Sequence, residues 1–136
     1  MDLAKTLAIA AAGLRVQGER MRVIAENIAN ADSGAAAPGA DPYRRKIVLF
    51  AAALDEATGV ELVKVAGESF DESSFERQFD PGHPSADADG YVLLPNVDPI
   101  LEMTDMRQAL RTYEANLAVI EASRTMLQKT IDLLRG

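Results

Sequence analysis

The chain has 136 residues, a formal charge of −7 and no cysteine, with 48% apolar but only 5% aromatic residues and no Trp. That length makes one domain's worth of material, and the absence of Cys excludes disulfides and thiolate metal sites. Few aromatics suit helix seams better than a sandwich core, and no apolar run reaches the roughly 18–20 residues that span a bilayer.

The charge is unevenly spread. Residues 1–30 and 31–50 each carry +1, 51–95 carry −8, and 96–136 carry −1. An acidic centre repels phosphate, and a basic stripe for nucleic acid is missing. The nearly neutral ends are free to pack against copies of themselves.

In chain order, residues 3–28 predict a long helix. Leu3, Leu7, Ala10, Leu14, Met21, Ile24 and Ile28 follow a four-three alternation, with Gln17 as its polar break. Asp2 is the expected N-cap. Lys5 followed by the Ala-rich run to Leu14 imitates a secretory signal, but cleavage there would cut this helix in half. Gly13 and Gly18 each cost about 1 kcal/mol relative to Ala in a helix interior. The helix is therefore expected to be marginal alone and ordered by packing.

Residues 31–42, rich in Ala, Gly, Ser and Pro, read as a flexible linker without periodicity. A small β domain is expected over 43–95. Its strands are placed at 47–50, 60–65, 75–79 and 91–94, on β-branched and aromatic content between turn residues. About 50 residues of β structure hold little stability alone.

From 96 to 136 the apolar residues Met103, Met106, Leu110, Tyr113, Leu117, Ile120, Leu127, Ile131 and Leu134 step by threes and fours, with Arg124 as the one polar interruption. Neither Gly nor Pro intervenes between Ile100 and Arg135. Such a helix spans roughly 50 Å, longer than a compact domain of this size, and needs a partner. The expected fold is α+β. The terminal helices, 1–30 and 96–136, form one discontinuous helical domain paired as an antiparallel coiled coil, with the β segment inserted between them.

Candidate sites for chemistry are weak. The run Ser85-Ala86-Asp87-Ala88-Asp89-Gly90 resembles half a calcium loop, but its twelfth position is Asn96 rather than Glu, and an Asp-Gly turn is the better reading. A calcium-responsive module there is kept as a third reading. His83 is the only histidine and lacks a second ligand; a turn role is expected. No nucleophile elbow or phosphate loop is present, so neither an enzyme nor a cofactor is expected. Arg44-Arg45-Lys46 reads either as a solvated strand edge or as a partner for acidic residues. Arg111 and Glu114 are spaced to pair locally, and Asn116 and Arg124 flank or occupy the seam, where polar groups set register.

Specific motifs go further. Asn96-Val97-Asp98, Glu102-Met103-Thr104-Asp105-Met106 and Arg111-Thr112-Tyr113-Glu114-Ala115-Asn116 closely resemble the C-terminal signature of bacterial flagellar axial proteins. The run from Val23 to Ala31, containing Asn27 and Asn30, is similar to the matching N-terminal signature. Pro42 to Lys46, Asp80-Pro81 and the stretch from His83 to Val92 resemble a proximal-rod subfamily. Only the linker after Asn30 departs, where Ala and Ser stand instead of the usual Thr residues and Gly-Tyr pair.

The resemblance implies a structural rod subunit of the flagellar basal body. Paired terminal helices would pack in concentric layers, with the β domain outside. The rod would cross the periplasm, transmit motor torque and enclose the export channel. The same resemblance implies type III export without a cleaved signal peptide, and self-assembly with other copies. Its neighbours would be other proximal and distal rod proteins, the adaptor FliE and the flagellar export apparatus, with no small-molecule substrate. The alternative is a soluble coiled-coil binding adaptor with a β head.

Overall fold

The computed structural model describes residues 2–136. Two long helices, α1 (Leu3–Ala29) and α2 (Pro99–Arg135), bracket four strands, β1 (Lys46–Asp55), β2 (Val60–Phe70), β3 (Glu76–Phe79) and β4 (Tyr91–Leu94). The architecture is the expected α+β.

Each helix begins where its first turn is capped. The Asp2 carboxylate accepts the Ala4 N–H at 3.0 Å. The Asp98 carboxylate accepts those of Ile100 at 2.9 Å and Leu101 at 3.4 Å. Pro99 follows Asp98 as the first helical residue, where its missing N–H costs nothing. α1 stops at Asn30, whose side-chain amide donates to the Glu26 carbonyl at 2.9 Å, while Ser33 Oγ donates to its Oδ1 at 3.1 Å.

The strands differ from expectation. β1 runs five residues past Phe50, through Ala51-Ala52-Ala53-Leu54 to Asp55, and β2 five past Val65 to Phe70. Alanine has low strand propensity, which hid the extension; here Ala53 lines a groove that β1 and β2 form with α1. The strands form two separate antiparallel pairs, β1–β2 and β3–β4, rather than one sheet. In the second, Glu76 faces Leu94 and Phe79 faces Tyr91. The two rings pack edge to face with centroids 5.3 Å apart. At the turn closing this pair, Gly90 has φ +85°, and a β-carbon there would meet Phe79 at 3.0 Å.

The segment 31–42 makes ordered contacts despite its composition. Ala35 is buried, Gly34 lies against Leu93 and Leu94, and the Tyr43 N–H donates to the Ser33 carbonyl at 3.1 Å. Small side chains let this backbone lie directly on β4.

Contacts divide the chain into two compact units. One comprises Met1–Met21, Leu49–Gly67 and Arg107–Gly136; the other comprises Arg22–Val48 and Glu68–Met106. Each draws on both helices and on β structure.

Candidate functional site

Signature residues meet in the second unit, around Asn27 near the end of α1. Asn27 is fully buried. Its Nδ2 donates to the Lys46 carbonyl at 2.9 Å and its Oδ1 accepts the Lys46 N–H at 3.0 Å. A helix side chain thus pairs with the first residue of β1 as a neighbouring strand's backbone would. Oδ1 also accepts the Tyr43 hydroxyl at 2.8 Å, and Nδ2 lies 3.3 Å from Glu102 Oε2.

Glu102, only 1% exposed, projects from the first turns of α2. Its charge is met by Arg45, whose Nε donates to Oε1. The same guanidinium reaches Asp71 at 3.3 Å and Asp105 at 3.6 Å. The Arg45 main chain is held as well: its N–H donates to Asn96 Oδ1 at 2.8 Å, and its carbonyl accepts the Asp71 N–H at 2.9 Å. Asn96 Nδ2 in turn donates to the Asp71 carbonyl at 2.9 Å and to Ser73. Lys46 Nζ pairs with Glu26 at 2.6 Å. Two asparagines, one glutamate and one arginine therefore tie the end of α1, the start of β1, the end of β2 and the start of α2 into one latch. A buried charge is tolerable only when paired and hydrogen-bonded, and here it is both.

The latch perturbs its titratable groups. Burial, helped by Glu26, Glu102 and Glu68, pushes the Tyr43 phenol up to about 12. Burial opposes the charge on Arg45, but the hydrogen bond and attraction from Glu102, with those from Asp71, outweigh it and raise the guanidinium's pKa. The hydrogen bonds from Ser73, together with Arg45, hold the Asp71 carboxyl below its usual range. Of the basic cluster, Arg45 and Lys46 thus partner acidic residues, while Arg44 stacks 4.1 Å over the Phe75 ring.

In the first unit α1 and α2 lie antiparallel. Arg20 Nη2 donates to Gln108 Oε1 at 3.1 Å, and Gly13 abuts the Asn116 amide so closely that a β-carbon there would stand 2.7 Å from Nδ2. The residue numbers in these pairs add to 128 and 129.

Burial marks one face of α2 as covered. Glu102, Ala109 and Ser123 are buried, with Met106, Tyr113, Asn116 and Ile120 half-buried between them. Small and polar residues thus alternate with large ones along the covered stripe. Seven residues apart on its open flank stand Met103, Leu110, Leu117 and Ile131, all exposed, with Arg124 completing the row. Leu127 and Leu134 continue the Met106-Tyr113-Ile120 row beyond the reach of α1 and are exposed too. The predicted seam is therefore two adjacent rows, one covered within the chain for part of its length and one open.

On α1, Ala10, Ala12, Val16, Val23 and Ile24 are buried, while Leu3, Leu7, Leu14, Met21 and Ile28 are half-buried. Alanines and Gly13 bring the helices close. Gln17 Oε1, at the polar break, is a buried oxygen without a hydrogen-bond partner among the described residues.

The remaining signature residues divide. Asn30 ends α1, and Asn116 Nδ2 donates to the Thr112 carbonyl at 3.1 Å, beside Gly13. Arg111 and Glu114 are exposed, and no ion pair joins them among the described residues. Asp87 Oδ1 accepts the N–H groups of Asp89 and Tyr91 at 2.9 Å, and His83 Nδ1 accepts that of Ser85 at 3.0 Å, so both shape turns. Sequence reasoning did not single out Asp71 and placed Asp98 only within a motif, not as a cap; the Asp-x-Ser and Asp-Pro spacings around them are the signals of their turn and cap roles.

Residues 88–133 match the family model described as the C-terminal region of the flagellar basal body rod FlgEFG proteins. The chain is 52% identical over 128 residues to the flagellar basal-body rod protein FlgC of Agrobacterium fabrum, covering 94% of this chain and 92% of that protein. It is 42% identical over 135 residues to FlgC of Salmonella typhimurium, covering 98% of each. With FlgC of Borreliella burgdorferi the identity is 38% over 154 aligned positions and the full length of both.

Proposed function

The chain belongs to the FlgC family of flagellar basal-body rod proteins, and we propose that it is a structural subunit of the flagellar rod, acting by assembly rather than catalysis. In this reading the helical ends, 1–30 and 96–136, build a tube that encloses the export channel and transmits motor torque across the periplasm, and residues 43–95 lie outside it. The proposed neighbours are further copies, other proximal and distal rod proteins, the FliE adaptor and the export apparatus.

The observation that carries the reading is the open row on α2. Leu110 is 46% exposed and Leu117 is 40% exposed, at strict heptad spacing beside the half-buried row of Met106, Tyr113 and Ile120. A helix with one apolar row covered and the next uncovered has more stripe than one intramolecular partner can bury. Each fully buried leucine contributes about 1.5–3 kcal/mol, so lateral packing of copies along this row supports a stiff tube. The pairing of α1 with α2 becomes, in the same reading, one seam of a larger coiled-coil array, and Tyr113, Asn116 and Arg124 fix register within it.

The test is complementation. In a strain lacking its own copy, this chain should restore rods in isolated basal bodies and swimming, whereas Leu117→Asp should restore neither while remaining soluble and folded. Swimming by that variant would overturn the reading. A purified chain that stops at a dimer of fixed size at every concentration would instead favour a soluble adaptor.

A further inference from the structure

We propose that the tip of the β1–β2 hairpin is a docking surface for the last turns of α2 from a second copy of this chain; the proposal rests on the rod reading and names one of its contacts. A groove of about 390 Å³ opens in the first unit between Arg15, Val16 and Glu19 of α1 and residues 53–55 and 62–65 of the hairpin. Leu54 and Val63 stand exposed at its lip, and Phe50 is exposed farther along β1. Apolar side chains around a concave floor, rimmed by Arg15, Glu19 and Lys64, have the composition of a contact surface rather than of solvated hairpin.

The occupant is argued from shape and charge. The end of α2 carries exposed Leu127, Ile131 and Leu134, spaced to share one helix face over roughly 10 Å. The groove's strands present about the same length, three residue steps at roughly 3.3 Å each. Hairpin residues 49–67 carry Asp55, Glu56 and Glu61 against Lys64, a balance of −2. Residues 124–135 carry Arg124, Lys129 and Arg135 against Asp132, a balance of +2. Opposite potentials around matched apolar surfaces favour this pairing over hairpin with hairpin or helix end with helix end, both of which bring like charges together. Because groove and helix end are different patches, the contact is heterologous and propagates from copy to copy instead of closing as a dimer.

The chain's lack of cysteine makes the test clean. Ala52→Cys and Thr130→Cys, at exposed positions beside the two patches, are co-expressed with different tags in a strain lacking its own copy and oxidised in swimming cells. The expected result is a mixed disulfide between the two variants in excess of the disulfide that either forms with itself. Loss of swimming by a Leu54→Asp, Val63→Asp double variant whose purified melting curve is unchanged is the second expected result. Swimming cells with no mixed product, or swimming by the double variant, overturn the docking surface and leave the rod reading standing. Failure of the unaltered chain to restore rods overturns the rod reading itself.

Discussion

Asn116 occupies the space that a side chain at Gly13 would need: all three atoms of its amide lie within 2.9 Å of where that β-carbon would be. A glycine in the middle of a helix is normally a defect, and here it is half of a contact. Gly13→Ala gains about 1 kcal/mol of helix propensity but forces the Asn116 amide off the Thr112 carbonyl. The expected outcome is destabilisation in the native background and stabilisation when combined with Asn116→Ala. A urea-unfolding double-mutant cycle should give a coupling of about 1 kcal/mol or more; additive effects would show that the helices do not approach as described.

Asn27→Asp should be the most damaging conservative change in the chain. It replaces a donor 3.3 Å from Glu102 with a second carboxylate and leaves the Lys46 carbonyl unpaired. A buried like-charge pair and an orphaned acceptor together predict a loss of about 3–5 kcal/mol at neutral pH. Thermal denaturation should show the loss shrinking as the pH falls and the new carboxyl is protonated.

Two groups set opposite limits of pH stability. The Asp71 carboxyl is depressed on folding, so its contribution is present above the ordinary carboxylate value and is lost as pH falls through the folded one. The Tyr43 phenol is raised on folding, so its contribution is present below 10 and is lost as pH climbs towards about 12. Tyr43→Phe should remove the alkaline decline and cost about 1 kcal/mol at neutral pH through its lost hydrogen bond. An absorbance titration of the phenolates, run beside urea melts, checks both.

Gln17→Met should stabilise the chain by about 1–2 kcal/mol, since it replaces a buried unpaired carbonyl with an apolar group of similar shape. Its melting temperature should rise. A fall would mean that Gln17 has a partner in solution.

Neighbouring positions on α2 should separate folding from assembly. Ala109→Asp puts a charge into a site with 0% exposure and should cost several kcal/mol of monomer stability. Leu110→Asp, one residue away but on the open row, should leave the melting curve within about 0.5 kcal/mol and abolish swimming. Equal effects at both positions would remove the distinction between covered and open rows.

Both helices were legible because a four-three apolar pattern is a strong local signal, and the four strands announced themselves by β-branched and aromatic residues. The faces were less legible. Heptad spacing marks Leu110 and Leu117 as apolar, but burial went to Ala109 and, in part, to Asn116, because close helix approach selects for small residues and size-based reading discounts them. The latch was half visible: motifs singled out Asn27, Asn96 and Glu102 without revealing that they meet. Their convergence depends on β1 leaving Arg45 beside α2, a relation between segments 57 residues apart that no local pattern encodes.

The unequal lengths of the two helices carry one last consequence. α1 has 27 residues and α2 has 37, so with Gly13 set beside Asn116 the final turns of α2 extend past the first residue of α1. A helical end of about ten residues without tertiary cover frays more readily than the packed turns behind it. Its order is then governed by mass action: dilute chains should exchange the amides of these turns rapidly, and each copy added should slow them. The end of α2 is in effect a gauge of local concentration, looser in dilute chains and stiffer in company.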